Sequence, residues 1–225
     1  MPILLDNSNT FPDPESTDPS VDDGLIAIGG DLNPQRLIAA YRAGIFPWSV
    51  DPLTWWSPDP RAIFEWDGFH ISRSFRRCLR QGHYQITFNT AFEQVMENCA
   101  DRGDADATWI SPEFLHAYGE LHRLGHAHSA EAWFEDKLVG GVYGVAVGGL
   151  FAGESMFHHR TDASKAALYA LHQSLRTANF GLFDIQMLTP VTEQLGAVEI
   201  PRAVYLERLA KVIDRPCQFP PAETN

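Results

Sequence analysis

The chain has 225 residues, room for one large or two modest domains. With 44% hydrophobic and 20% charged residues it has the composition of an ordinary soluble globular protein, and its net charge of −12 excludes a generally basic nucleic-acid binder while permitting a local basic patch. Cys78, Cys99 and Cys217 form neither a disulfide framework nor a metal-ligand spacing, and no charged start precedes an apolar leader, so the expectation is a cytoplasmic protein.

Residues 1–23 are rich in Pro, Asp and Ser and predict an extended arm. Gly24 to Leu32 is a short apolar strand ending in a Gly-Gly-Asp turn, with no phosphate-loop continuation. Asn33 and Pro34 open a helix whose apolar face is Leu37, Ile38, Ala40 and Tyr41, and Gly44 can end it. Trp48, Trp55 and Trp56 among several prolines predict a rigid aromatic corner: either a satellite core under a loop or a stacking platform for a base or an apolar side chain. A domain boundary is placed here, giving units 1–60 and 61–225.

Ala62 to Phe64 predicts a strand, and Ser72 caps the next helix. Arg73, Arg76, Arg77 and Arg80 then recur at i, i+3, i+4 and i+7, which puts four guanidiniums on one helical face. Such a stripe is either a solvated face with carboxylate partners or a phosphate contact, since Arg forks suit phosphate oxygens. Tyr84 to Phe88 reads as a strand, and Ala91 to Cys99 as a helix with Phe92, Val95, Met96 and Cys99 inward. An acidic loop from Asp101 to Asp106 leads to Trp109. A helix follows from Ser111 to Leu124, closed by Gly125. His116, His122, His126 and His128 lack the H-E-x-x-H spacing, and no metal is expected.

Ser129 to Trp133 is the strand before a central hairpin around Gly148-Gly149, the dipeptide supplying positive φ. From Leu138 to Gly153 no residue is charged, so the hairpin is expected inside a sheet. Glu154 breaks that run; a carboxylate there must be paired, hydrogen-bonded or functional. Asp162 caps a helix to about Asn179 with Ala167, Leu168, Leu171 and Leu175 inward, ended by Gly181. In the strand Leu182 to Leu188, alternation puts Asp184 and Gln186 on one face, about 7 Å apart. Thr189 to Gln194 predicts a loop, Ala203 to Ile213 the last helix, and Pro216 onward a tail.

Several stretches together resemble the bacterial leucyl/phenylalanyl-tRNA–protein transferase family. They are Gly29-Gly30-Asp31-Leu32, Gly44-Ile45-Phe46-Pro47-Trp48, Trp55 to Arg61, His70 to Ser74, Thr108-Trp109-Ile110 and Gly125 to Ser129. Gly153 to Phe157, Ala163-Ser164-Lys165, Asp184-Ile185-Gln186, Leu195-Gly196-Ala197 and Ile200-Pro201-Arg202 complete the set. The likeness runs from about Gly24 to Leu209. It implies an α+β fold, with a small N-terminal domain and a GNAT-like mixed-sheet catalytic domain. It implies transfer of Leu or Phe, with Met weaker, from aminoacyl-tRNA to the N-terminal Arg or Lys of acceptor proteins, marking them for N-degron proteolysis. No metal, coenzyme or membrane is implied. The stretch Phe157 to Lys165 also lacks the glycines with which acetyl-CoA enzymes of that fold grip pyrophosphate.

The matching catalytic residues are Asp184 and Gln186, as a relay for the amine proton, or Asp184 as an anchor for the acceptor cation, with Glu154 orienting the relay or binding the acceptor. Val142, Phe151, Met156 and Ile185 are expected to line the pocket for the donor's side chain, with Trp48 and Trp109 against the terminal adenosine. The tRNA is expected on Arg73, Arg76, Arg77 and Arg80. Where the family commonly carries a His after Asp-x-Gln, this chain has Val191. Two other readings stay open: a GNAT-like transferase with another donor, and a non-catalytic tRNA- or peptide-binding module.

Overall fold

A computed structural model describes residues 3–18, 23–101, 103 and 108–220. The strands up to Trp56 form a four-stranded sheet: β1 (Ile3–Leu4), β2 (Leu25–Ile28), β3 (Phe46–Val50) and β4 (Leu53–Trp56), in the order β1-β2-β4-β3. The aromatic corner is thus a β3–β4 hairpin, with Phe46 opposite Trp56 and Pro47 opposite Trp55. The N-terminal arm is less irregular than its composition predicts. Two of its residues pair in parallel with β2, and Pro14–Ser16 form a short 3-10 turn. Helix α1 (Pro34–Arg42) begins as expected, the Asn33 side chain accepting the Arg36 N–H.

The seven-stranded sheet holds β5 (Arg61–Phe64), β6 (Gln85–Phe88), β7 (Ala127–Phe134), β8 (Lys137–Val147), β9 (Leu150–His158), β10 (Leu182–Gln186) and β11 (Val198–Ile200), in the order β11-β5-β10-β9-β8-β7-β6. Only β9 and β10 pair in parallel; every other neighbouring pair is antiparallel. This is a mixed sheet beside a small N-terminal one, an α+β fold.

Five helices join the second sheet's strands: α2 (Arg73–Gln81), α3 (Phe92–Ala100), α4 (Pro112–Arg123), α5 (Ala163–Thr177) and α6 (Pro190–Gln194); α7 (Arg202–Val212) follows β11. One face of the seven-stranded sheet packs on α5, burying Ala130, Val142, Phe151 and Phe183 against Ala167, Leu168, Leu171 and Leu175. A Cβ at Gly140 would lie 2.6 Å from that of Ala163, so this glycine permits the close approach of α5 to β8. The other face, with Tyr143, Val145 and Leu182, shares one core with α1, α3, α4, α7 and the N-terminal sheet.

Local details depart from expectation. At the hairpin turn only Gly148 takes positive φ, at 57°, and a side chain there would strike the Ile213 carbonyl. Asp162 precedes α5 without capping it; its carboxylate pairs with Lys165 instead. The left-handed residue after α5 is Asn179, φ 63°, rather than Gly181. Residues 190–194, expected as loop, form α6 through a reciprocal Thr189–Thr192 cap. The tail folds back: Phe219 stacks on His128 with ring centroids 4.0 Å apart. Of the acidic loop, residues 102 and 104–106 lie outside the described part.

Candidate active site

The site opens where two strands part. The parallel ladder between β9 and β10 runs from Leu150–Leu182 to Ala152–Asp184 and ends there. Just beyond, both strands carry a bulge. Ser155 faces Tyr143 and Gly153 faces Gly144, leaving Glu154 as the extra residue of β9. Asp184 faces Ile63 and Gln186 faces Ala62, leaving Ile185 as the extra residue of β10. The second bulge holds Gln186 at φ 59°. A bulge re-aims side chains, and these two bring Glu154 and Gln186 together: the carboxamide Nε2 donates to Glu154 Oε1 at 3.1 Å. Between the parted strands lies a cavity of about 410 Å3, of the size that holds small ligands.

Glu154 is part-buried, and protein encloses its carboxyl on three sides. The Tyr41 hydroxyl of α1 lies 2.9 Å from Oε1, the Tyr118 hydroxyl of α4 lies 3.3 Å from Oε2, and the two hydroxyls are 2.5 Å apart. Burial raises the Glu154 pKa to about 8; the nearby Asp184 charge adds to the rise, and contacts with Tyr41, Tyr118 and Arg61 oppose it. Both phenols are held well above their ordinary range, chiefly by burial and then by the Glu154 charge.

Asp184 is placed otherwise. It is fully buried, and Arg61 of β5 grips it with two charged hydrogen bonds, Nε to Oδ1 at 2.8 Å and Nη2 to Oδ2 at 2.6 Å. The Tyr205 hydroxyl donates to Oδ2 at 3.0 Å, and the Gln186 backbone N–H donates to Oδ1 at 2.9 Å. Arg61 also donates to the Gly44 carbonyl at 3.0 Å and lies over the rings of Phe46 and Tyr205. Burial pulls the Arg61 pKa down, but Asp184 outweighs it and the net shift is upward. The carboxylate expected to face the amine thus faces an internal cation and does not line the cavity.

Of the residues expected around the donor, Trp48, Trp109, Val142, Met156 and Ile185 line the cavity, as do Glu154 and Gln186. Phe151 does not: it is fully buried against Phe183 and Phe219, on the far side of the bulge. The sequence reading missed Leu168 as a lining residue, having placed it only in a buried stripe. It missed Tyr118 as well; Tyr41 it placed on the buried face of α1 without linking it to Glu154. Val191, in place of the histidine, sits at the cavity on α6, 39% exposed. Arg73, Arg76, Arg77 and Arg80 are all exposed on α2, and no carboxylate among the described residues lies within ion-pair distance of them. Two of the histidines stack in the interior, His122 on Phe92 and His128 on Phe219, and no group of His, Cys, Asp and Glu suited to a metal occurs among the described residues.

Comparison with known proteins supplies the frame for this geometry. Residues 63–210 match the model of the leucyl/phenylalanyl-tRNA protein transferase family, and residues 30–59 match the model of that family's N-terminal domain. A leucyl/phenylalanyl-tRNA–protein transferase from Magnetococcus marinus is 48% identical over 96% of this chain and 94% of its own length. Namesakes from an Anaeromyxobacter species and from Shewanella baltica are each 50% identical over 92% of this chain and 88% of theirs. The chain belongs to the leucyl/phenylalanyl-tRNA–protein transferase family. Within that family frame the cavity is a joint product of both matched spans. The N-terminal span contributes Phe46, Pro47 and Trp48 to its wall and Tyr41 behind Glu154; the longer span contributes Glu154, Gln186 and the parted strands. The arrangement offers an apolar chamber between two tryptophans, with a carboxamide and a carboxyl group in its wall.

Proposed function

We propose that this chain moves Leu or Phe, with Met a weaker donor, from aminoacyl-tRNA to the N-terminal Arg or Lys of acceptor proteins in the cytoplasm, so marking them for N-degron proteolysis. The observation that carries the reading is the cavity: an apolar chamber with Glu154 in its wall, in a chain of this family. The donor's side chain enters between Val142, Met156, Leu168 and Ile185, while Trp48 and Trp109 flank the terminal adenosine. A hydrophobic pocket discriminates by about 1–3 kcal/mol per methylene, enough to favour Leu and Phe over β-branched Val and Ile.

The reaction is aminolysis of an ester that arrives activated, so positioning and a neutral amine supply most of what is needed. The α-amine has an ordinary pKa of about 8 and loses its proton with modest help. Gln186 donates to Glu154, which leaves its carboxamide oxygen to accept from the amine. Asp184 holds Arg61 and the Gln186 backbone, and so positions Gln186 through the bulge. The body of the tRNA lies on the exposed Arg73, Arg76, Arg77 and Arg80 face, whose guanidiniums carry no internal counter-charge. Residues 1–60 and 61–225 act as two units joined at this site.

The test is transfer of radiolabelled Leu from Leu-tRNA to a protein beginning with Arg, set against the same protein beginning with Ala. Label on the Arg-initiated protein alone is the expected result. Equal labelling of both, or of neither, overturns the reading.

A further inference from the structure

The two tyrosines beside Glu154 raise a matter of counting. Three contacts join three groups: Tyr41 to Tyr118 at 2.5 Å, Tyr41 to Glu154 Oε1 at 2.9 Å, and Tyr118 to Oε2 at 3.3 Å. Each contact needs one proton between its oxygens, and two hydroxyls supply two. While Glu154 is ionised, one contact is left without a proton. A proton on Glu154 fills it and closes a ring in which every member donates once and accepts once around the triangle. Burial keeps both phenols protonated. Among the described residues, Glu154 is also the only titratable side chain lining the cavity. The other charged groups that act on it, Asp184 and Arg61, are paired with each other behind the wall.

We propose that Glu154 is the proton acceptor of the transfer, and that Tyr41 and Tyr118 are positioning residues that close a hydrogen-bonded ring around the proton it receives. This rests on the transferase reading above. The acceptor enters as an ammonium, and one N–H proton passes to the Glu154 carboxylate. The freed lone pair forms the C–N bond while the carbonyl π electrons move to oxygen. Collapse of the adduct returns those electrons and breaks the C–O bond to the ribose, and the leaving oxygen takes a second proton from nitrogen. The third proton remains as the amide N–H. The proton on Glu154 returns to water when the product leaves.

Tyr118→Phe separates the ring from simple donation. A hydroxyl that only donated to the carboxylate would hold the Glu154 pKa down, and its removal would raise it. Oε1 already accepts from Gln186, so in the ring the proton sits on Oε2 and Tyr118 accepts it; removing that acceptor lowers the pKa. The measurement is the infrared carbonyl band of protonated Glu154, assigned by its absence in Glu154→Gln and followed with pH in the enzyme without substrates. The expected midpoint is raised well above the ordinary 4.5 in the wild type by burial and lower in Tyr118→Phe. Above about pH 8, where the wild-type carboxyl is ionised as well, kcat in the variant falls several-fold, as befits a weaker base, with KM for aminoacyl-tRNA unchanged. A midpoint that rises or stays in place overturns the ring.

Should Tyr118→Phe fail to fold, Glu154→Gln carries the test. Its carboxamide mimics the protonated group, donating to Tyr118 and accepting from Tyr41. Above about pH 8 it should melt no lower than the wild type and lack transfer. A lower melting temperature, or full transfer, overturns the proposal. Wild-type transfer of Leu to an Arg-initiated acceptor probes the underlying reading separately, since it can succeed while the carboxyl midpoint moves the wrong way.

Discussion

At the residue scale, two carboxylates of neighbouring strands have opposite surroundings. Asp184 accepts four hydrogen bonds, two of them from a buried guanidinium. Asp184→Asn leaves Arg61 as an uncompensated buried charge, so it should lower the unfolding free energy by about 3–5 kcal/mol in chemical denaturation. Arg61→Met combined with Asp184→Leu should recover most of that loss, because the desolvation cost of both ions goes with them. A base facing solvent would show neither effect. Glu154 has no such partner, and its folded pKa of about 8 lies above the ordinary 4.5. The folded state therefore binds the proton more tightly than the unfolded one. Stability from this group is fully present below about pH 4.5 and is lost as pH rises through about 8. His128 works the other way: burial holds its pKa at about 4 against 6.5, so its contribution is lost as pH falls between those values. The Glu154 effect is thus read as a difference. Wild type minus Glu154→Gln, in unfolding free energy, should decline between about pH 4.5 and 8 and level off above. A flat difference would place the carboxyl in a wetter setting.

At the element scale, α2 carries its four arginines outward while Phe75 alone is buried beneath them. Reversing Arg76 and Arg80 to Glu should weaken aminoacyl-tRNA binding and reduce the slope of log affinity against log salt by roughly 0.7–0.9 for each phosphate contact removed. Filter binding over a salt series measures it, and an unaltered slope would return the stripe to being a solvated face. That helix was legible in the sequence because its signals are local, a Ser cap and a 3.6-residue period; the left-handed Gly82 that ends it was not singled out. The central hairpin was legible for the same reason. The short α6 was not, since five residues carry too little periodicity and its cap is reciprocal between two threonines. Phe151 was expected in the pocket, but it pairs with Ala146, farther along β8 than the Val142–Met156 pair that lines the cavity, and nothing local in the sequence tells those two ends of the strand apart. The Arg61–Asp184 pair joins positions 123 apart, and Tyr41 meets Glu154 across 113. No local pattern encodes either contact, so the sequence supplied the site's residues without their partners.

At the scale of the whole molecule, one hydrophobic core spans both sheets, uniting Leu37, Tyr41 and Trp55 with Tyr143, Leu182 and Tyr205. Two buried arginines fasten the N-terminal arm to that body: Arg36 donates to the Asp6 carbonyl at 3.0 Å and Arg202 to the Thr17 carbonyl at 2.8 Å. Arg202→Ala should free the arm near Thr17, so limited proteolysis should cut there faster than in the wild type; an unchanged cutting rate would show the arm is held elsewhere. The order of strands also bears on how the chain is made. The N-terminal sheet has all its strands by Trp56, and β5 is synthesised directly after it. Yet β5 pairs only with β10 and β11, with Phe64 waiting for Phe183 about 120 residues later. On the ribosome, Ala62, Ile63 and Phe64, all buried in the finished fold, stay without strand partners until most of the chain has emerged. An interrupted product lacks Gln186 and leaves the Arg61 cation without its counter-charge. Fragments that stop short of β10 thus carry an uncovered apolar strand and an unpaired cation.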